Sequence, residues 1–237
     1  MESATTNMAP EELPILRTLS TSRRKDLLRH AMQHSVASGT VLFEQGDVPN
    51  FQLIVLAGSA HLFGRSVEGR EVLIEAVRPG DLIIPAAVVT GAPYLMQARV
   101  PEPSRFLLVQ AAPFREAVAA DPLLAQAVIG SLSAQFRRMV RQIKNLKLRS
   151  ARQRAGSYVL ALAARQGTPD KAVLPYEKNL VASELGITRE SFSRALSSLE
   201  RSCIRVEGQT IHILSPVDLS QESRPDPLID GPDEAER

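Results

Sequence analysis

The sequence predicts an α+β protein: an antiparallel β-sandwich of jelly-roll type, one long helix, and a C-terminal winged helix-turn-helix. Three observations predict it. Short apolar runs separated by Gly-containing turns fill residues 36–112, the spacing of an antiparallel sandwich. Ala125, Ile129, Leu132, Phe136, Met139, Ile143 and Leu146 recur at alternating intervals of four and three, a heptad seam on a long helix. Residues 180–199 then place a glycine between two short helical patterns, with a threonine opening the second.

Composition sets the bounds. The chain has 237 residues, enough for one large or two modest domains, and 44% apolar residues. The net charge of +2 excludes nothing by itself. The distribution says more. Residues 122–169 hold no Asp or Glu, while Arg137, Arg138, Arg141, Lys144, Lys147, Arg149, Arg152, Arg154 and Arg165 all fall there. Such asymmetry favours a polyanion partner for the later half; a solvated basic helix face is the plain alternative. Cys203 is the only cysteine, which excludes an internal disulfide and any zinc or iron–sulfur centre held by a cysteine cluster. No apolar run is long enough to span a membrane, and the N-terminus lacks a signal-peptide core. The reading is a cytoplasmic chain with no membrane partner.

In chain order, residues 1–12 read as loose and 13–32 as helix, with Leu16, Leu19, Leu27 and Leu28 as apolar points and Ser20-Thr-Ser22 as a break. Strands are expected at 40–43, 51–56, 60–63, 72–77, 82–84 and 105–109. A helix follows at 113–119, then the seam helix, then a helix over 150–165 carrying Tyr158, Leu160 and Leu162. Residues 174–178 read as a short strand, and Ile204-Arg-Val206 with Ile211-His-Ile213 as a hairpin about a Glu207-Gly-Gln turn. The expected partition is 1–120 sensor or effector domain (sandwich about 36–112), 121–149 dimerisation helix, 150–215 winged helix-turn-helix, and 216–237 a disordered tail, rich in Pro, Asp, Glu and Ser.

Within 180–199 the first helix runs to about Leu185, Gly186 takes the left-handed turn, and Thr188 caps the second helix. At about 100° per residue, Phe192, Ala195, Leu196 and Leu199 share one face. The other presents Arg189, Glu190, Ser193, Arg194 and Ser197, with Thr188 and Ser191 at its start. Arg forks onto guanine O6 and N7, and Glu accepts from cytosine N4. These seven residues are the expected DNA contacts of a helix laid in the major groove. The hairpin after them is a wing, placed to touch phosphates. A heptad seam with a charged opposite face favours a homodimer, which would present two such helices to a two-fold DNA site.

The order of these parts, together with Gly39-Thr-Val-Leu-Phe-Glu-Gln-Gly-Asp47, Gly58-Ser59, Glu68-Gly-Arg-Glu71, Arg78-Pro-Gly-Asp81 and Thr188-Arg-Glu-Ser-Phe-Ser-Arg194, resembles the Crp/Fnr superfamily of bacterial transcription regulators over residues 13–215. The resemblance is to the Fnr-like branch without iron–sulfur cysteines, similar to nitric-oxide and denitrification regulators. It implies a cyclic-nucleotide-binding-like sandwich, no enzymatic activity, RNA polymerase as a partner, and an activator's role in anaerobic or nitrogen-oxide metabolism. Glu190, Ser193 and Arg194 stand where that branch places its Glu-x-x-Ser-Arg base readers, implying a site near TTGAT-N4-ATCAA. Arg189 stands where the Crp branch has an arginine, which leaves the first base position open.

Cyclic-nucleotide binders of the family carry a Gly-Glu-Leu and later an Arg-Ser/Thr. Here the stretches read Asp81-Leu-Ile-Ile-Pro-Ala-Ala87 and Pro93-Tyr-Leu-Met96. The acid and the cation are both missing, so no cAMP binding is expected. Nor is an iron–sulfur cluster. An apolar region with Pro85, Val88, Tyr94 and Met96, beside His61, is either filled core or an effector pocket. Haem is a candidate there, with His30, His34, His61 and Met96 as possible ligands. Oxidation of Cys203 beside the recognition helix is a further candidate signal, and action without an effector another. The alternatives from other classes are a cupin-like metal enzyme, poorly served by His61 as the sandwich's one histidine, and a dimeric interaction module that binds no DNA.

Overall fold

The computed structural model describes residues 7–29 and 31–230. The chain divides between Gln135 and Phe136 into two compact units.

In the first unit a 3-10 turn at Pro10–Glu12 precedes α1 (Pro14–Arg17) and α2 (Thr21–Arg29). Then come β1 (Ala31–Val36), β2 (Val41–Phe43), β3 (Phe51–Ala57), β4 (Ala60–Arg65), β5 (Glu71–Val77), β6 (Leu82–Ile83), α3 (Pro85–Thr90), β7 (Gln97–Arg99), β8 (Ser104–Gln110), α4 (Ala111–Ala120) and α5 (Pro122–Leu148). Two antiparallel four-stranded sheets form, ordered β1-β8-β3-β6 and β2-β7-β4-β5. The expected sandwich is there.

The central strands β3 and β8 explain why their sequences read as continuous apolar runs. Each is buried on both faces. Leu53, Val55 and Phe106 point into the core between the sheets, with Leu62, Val77 and Ile83. Ile54, Leu56, Leu107 and Val109 point the other way, onto Leu16, Phe114, Leu124 and Val128 of the helices. Full burial of each such side chain contributes about 1.5–3 kcal/mol.

Two expectations for this unit need correction. Residues 13–32 are not helical throughout: α2 ends at Arg29, and Met32 lies in β1, paired residue by residue with β8 from Ala31↔Val109 to Val36↔Ser104. The strand expected at 82–84 stops at Ile83. Ile84 sits at φ 42° and turns the chain into α3. A β-branched residue there costs roughly 1–2 kcal/mol. The segment is held from three sides: Gln52 Nε2 donates to the Ile83 carbonyl (3.1 Å), Gln135 Nε2 to that of Leu82 (2.9 Å), and Arg115 Nη1 to that of Val88 (3.1 Å).

The second unit takes the last turns of α5, then α6 (Ala151–Arg165), β9 (Lys171–Val173), α7 (Lys178–Glu184), α8 (Arg189–Glu200), β10 (Ile204–Glu207), β11 (Thr210–Ile213), α9 (Pro216–Ser223) and α10 (Pro227–Asp230). The three strands form one antiparallel sheet in the order β10-β11-β9. The strand expected at 174–178 lies three residues earlier, because Lys171–Val173 is the stretch that finds β11 as its partner.

The expected disordered tail is also corrected for residues 216–230. Ser215 caps α9 by accepting from the Asp218 amide, and Leu219 and Ser223 are fully buried. Gly156 on α6 makes the close approach possible: a Cβ there would lie 2.0 Å from Ser223 Oγ.

Candidate nucleic-acid interface

The helix-turn-helix forms as its local chemistry dictates. α7 ends at Glu184, Gly186 takes φ 62°, and Thr188 opens α8 from an extended conformation. Thr188 Oγ1 accepts from the Ser191 amide at 3.2 Å, satisfying one of the orphan donors of the first turn. Gly186 is required twice over. Its φ is left-handed, and a Cβ would meet Leu146 Cδ2 at 2.2 Å. The turn is gripped from α6 as well, where Arg154 Nη1 donates to the Leu185 carbonyl at 2.6 Å.

α8 sorts its faces as the spacing requires. Phe192, Ala195, Leu196 and Leu199 are buried, at 0–5% exposure. Arg189, Glu190, Ser193, Arg194 and Ser197 are exposed, as is the cap Thr188, and Ser191 is half-buried. The polar side chains are already ordered. Thr188 Oγ1 donates to Ser191 Oγ at 3.1 Å, and Arg194 Nη2 donates to the same oxygen at 3.1 Å. The Glu190 backbone amide, the Thr188 hydroxyl and the charges of Arg189 and Arg194 hold the Glu190 carboxyl below the usual carboxylate range. It is therefore an ionised acceptor flanked by two forked donors, which suits base edges in a major groove.

The wing carries an exposed cation that sequence reasoning did not single out. Arg205 is exposed on β10, and Val206 N donates to Glu200 Oε1 at 3.0 Å, tying the wing to the end of α8. Alternation in Ile204-Arg-Val206 was the available signal: Ile204 is buried and Arg205 points out.

The basic run does not face solvent as a whole. Lys144 pairs with Asp226 (3.5 Å), Arg149 with Asp230 (2.6 Å) and Arg152 with Glu222 (3.1 Å), while Arg154 serves the turn carbonyls. Four of the cations expected to attract a polyanion are thus engaged within the fold, three of them by acids of the tail.

The seven seam residues lie along α5. Ile129 and Phe136 are 61% exposed, Met139 50%, Ile143 49% and Leu146 39%, whereas Ala125 and Leu132 are half-buried. So large an apolar stripe in solvent is the exception in folded chains.

The sensor candidates are not gathered round one site. Val88 packs with the helices, while Tyr94 and Met96 belong to the core between the sheets. Tyr94 stacks on Phe43 with ring centroids 3.7 Å apart, and burial pushes its hydroxyl up to about 12. Pro85 is buried at the start of α3. His34 is exposed on β1, whereas His61 is 2% exposed on β4, in the other sheet. His61 pairs with Arg99, three residues beyond Met96. At about 3.3 Å per residue the two are not neighbours. His30 lies outside the described residues. Among the described residues no group of three or more His, Cys, Asp and Glu is placed to hold a metal ion. Cys203 is fully buried in the core of the second unit, with its sulfur 3.1 Å from Ser202 Oγ. As a candidate redox signal the thiol is shielded, since in the folded chain it has no exposure to an oxidant.

Burial holds the His61 pKa below the ordinary value of 6.5, against a smaller upward pull from Glu102. Below that value the unfolded chain binds a proton that the native chain refuses, so stability falls as pH drops. The unfolding free energy between about pH 7 and pH 5, read from denaturant melts, should fall more steeply for the wild type than for His61→Gln, by at most about 1.4 kcal/mol per pH unit. Parallel curves would remove His61 as the cause.

Comparison with known proteins agrees with this geometry. Residues 33–121 match the cyclic nucleotide-binding domain family and residues 153–222 the Crp-like helix-turn-helix domain family. A CRP-like cAMP-activated global transcriptional regulator of Mycobacterium tuberculosis is 24% identical over 191 residues, 78% of this chain and 85% of that protein. The nitrogen fixation regulation protein FixK of Azorhizobium caulinodans is 27% identical over 169 residues, 69% of this chain and 67% of that one. The structure of FixK2 from Bradyrhizobium japonicum superposes with a TM-score of 0.68 at 19% identity, over 83% of this chain and 98% of that one. With a cyclic-nucleotide-type sandwich, a long helix and a Crp-like helix-turn-helix in one chain, this protein belongs to the Crp/Fnr superfamily of transcription regulators.

Proposed function

We propose that this regulator is a homodimer joined along α5 that reads an inverted repeat near TTGAT-N4-ATCAA. The observation that carries the reading is α8, which buries four apolar side chains and leaves Arg189, Glu190, Ser193 and Arg194 exposed behind a Thr188 cap. In this reading Arg194 donates to guanine, Glu190 accepts from an exocyclic amine, and Ser193 contacts a thymine or a phosphate. The exposed seam supplies the second copy. A role in anaerobic or nitrogen-oxide metabolism follows only the resemblance, and the nitrogen-fixation regulator among the relatives is consistent with it.

The M. tuberculosis relative is described as cAMP-activated. In this chain the stretch that would hold the cyclic phosphate carries Tyr94, stacked on Phe43, in place of a cation. Binding without cAMP is the proposal.

Selection from a pool of random duplexes, with purified protein, tests both statements. The expected outcome is enrichment of an inverted repeat with TTGAT half-sites, unchanged by cAMP. Affinity should fall by about 10³-fold or more between about 50 and 200 mM salt, as phosphate contacts release counterions. Enrichment of no repeat, or a flat salt response, would overturn the reading. Enrichment that appears only with cAMP would overturn the part played by Tyr94.

A further inference from the structure

We propose that residues 216–230 are a brace for the recognition helix: through the Arg149–Asp230 pair they fix the α5–α6 joint and so set which spacing between half-sites the protein accepts. The inference rests on the dimeric reading above and adds a positioning device to it.

The joint is short. Only Arg149 and Ser150 separate α5 from α6, and helix geometry alone does not fix the bend between them. Arg149 does. Its side chain is 5% exposed, and its two terminal nitrogens donate to the two Asp230 carboxylate oxygens at 2.7 and 2.6 Å. It also donates to Asn145 Oδ1 at 3.3 Å and to the Arg224 carbonyl at 3.4 Å. Asp230 in turn accepts from the Asp226 amide at 2.8 Å, which closes α10 on itself. Lys144–Asp226 and Arg152–Glu222 flank the pair, one on each side of the joint.

Exposed ion pairs alone would hold little. A buried, two-pronged one is different, because without Asp230 the buried Arg149 loses its hydrogen-bonded counterion and keeps only the charge of Asp226 nearby. The pair therefore favours one geometry of the joint strongly over others. Close to the same joint, Leu146 of α5 lies against Gly186 and Arg154 of α6 holds the Leu185 carbonyl. The same two turns of α5 thus meet both the turn of the recognition motif and the C-terminal segment. Phe136, Met139 and Ile143 of the seam and the whole of α8 belong to this one unit. Its internal angle is set at the joint. A dimer with rigid joints presents its two recognition helices at one separation; one with loose joints accepts several. Arg149, Asp226 and Asp230 all lie outside the two matched family regions, 33–121 and 153–222.

The experiment uses the full chain and duplexes carrying two inverted TTGAT half-sites, with spacers of about three to six base pairs. The wild type should prefer one spacer over its neighbours by about tenfold. Asp230→Asn should flatten that preference to within about threefold while retaining affinity for a single half-site. Exchanging the charges, Arg149→Asp with Asp230→Arg, should restore part of it. A uniform loss of affinity at every spacer, with the preference intact, would assign the pair a merely structural role and overturn the proposal. Should Asp230→Asn not fold, Asp226→Asn loosens α10 without stranding a buried charge and is read the same way. Amide exchange over residues 146–154, measured without DNA, separates this inference from the dimeric reading. Faster exchange in Asp230→Asn or Asp226→Asn supports the brace, and unchanged protection in both sinks it. A wild type indifferent to spacing would instead bring down the dimeric reading, and the spacing role with it.

Discussion

Ile143→Asp is expected to turn the proposed dimer into a monomer at micromolar concentration. Ile143 is about half exposed in the single chain, midway between Met139 and Leu146 on the seam. In a two-fold dimer each helix would bring one aspartate into the apolar interface, and the effective penalty for a buried ion is several kcal/mol. A rise of about 100-fold or more in the dimer dissociation constant follows, from roughly 3 kcal/mol or above. Sedimentation velocity reads it directly. DNA affinity should collapse with it, because a monomer holds one half-site and loses the effective concentration that the second gains from the first. A sedimentation profile identical to the wild type would remove α5 as the interface.

Arg194→Ala should abolish discrimination without abolishing binding. Each lost base reader costs about 1–3 kcal/mol, and the dimer loses two, one per half-site, roughly additively across a distance. The expected loss on the inverted repeat is about 2–6 kcal/mol, or about 30-fold to 10⁴-fold. Affinity for unrelated duplex DNA should change by far less, since phosphate contacts supply it. Glu190→Gln should shift the base preferred at its position, because an ionised acceptor becomes a group that also donates. Competition binding between the repeat and a scrambled duplex measures both. Equal losses on the two duplexes would deny α8 its reading role and would favour a dimeric module that does not read sequence.

The recognition motif was legible almost residue by residue because its signals are local. A threonine cap, a left-handed glycine and a 3.6-residue period each act within a few residues, and Thr188, Gly186 and Phe192 stand where those rules put them. The long helix α5 and its apolar stripe were legible for the same reason. What escaped depends on partners far along the chain. β1 is an edge strand whose middle residues, Met32 to Ser35, are all exposed, so no apolar alternation marks it; its identity comes from β8, with Ala31 opposite Val109. The acidic tail reads as disordered by composition, yet Glu222, Asp226 and Asp230 are counterions of Arg152, Lys144 and Arg149 in the basic run. Arg149 and Asp230 are 81 residues apart. The apolar stretch from Pro85 to Met96 has the composition of a pocket lining and of a core alike; only the structure separates Val88 from Tyr94.

The burial of Cys203 has a practical consequence. The chain's one thiol sits at 0% exposure among Leu199, Ile204 and Ile211, at the foot of the recognition helix. A thiol reagent can therefore modify it only as often as that core breathes open. The alkylation rate is a clock for the DNA-binding unit, and its slowing on a bound duplex would give the free energy that DNA lends to that core.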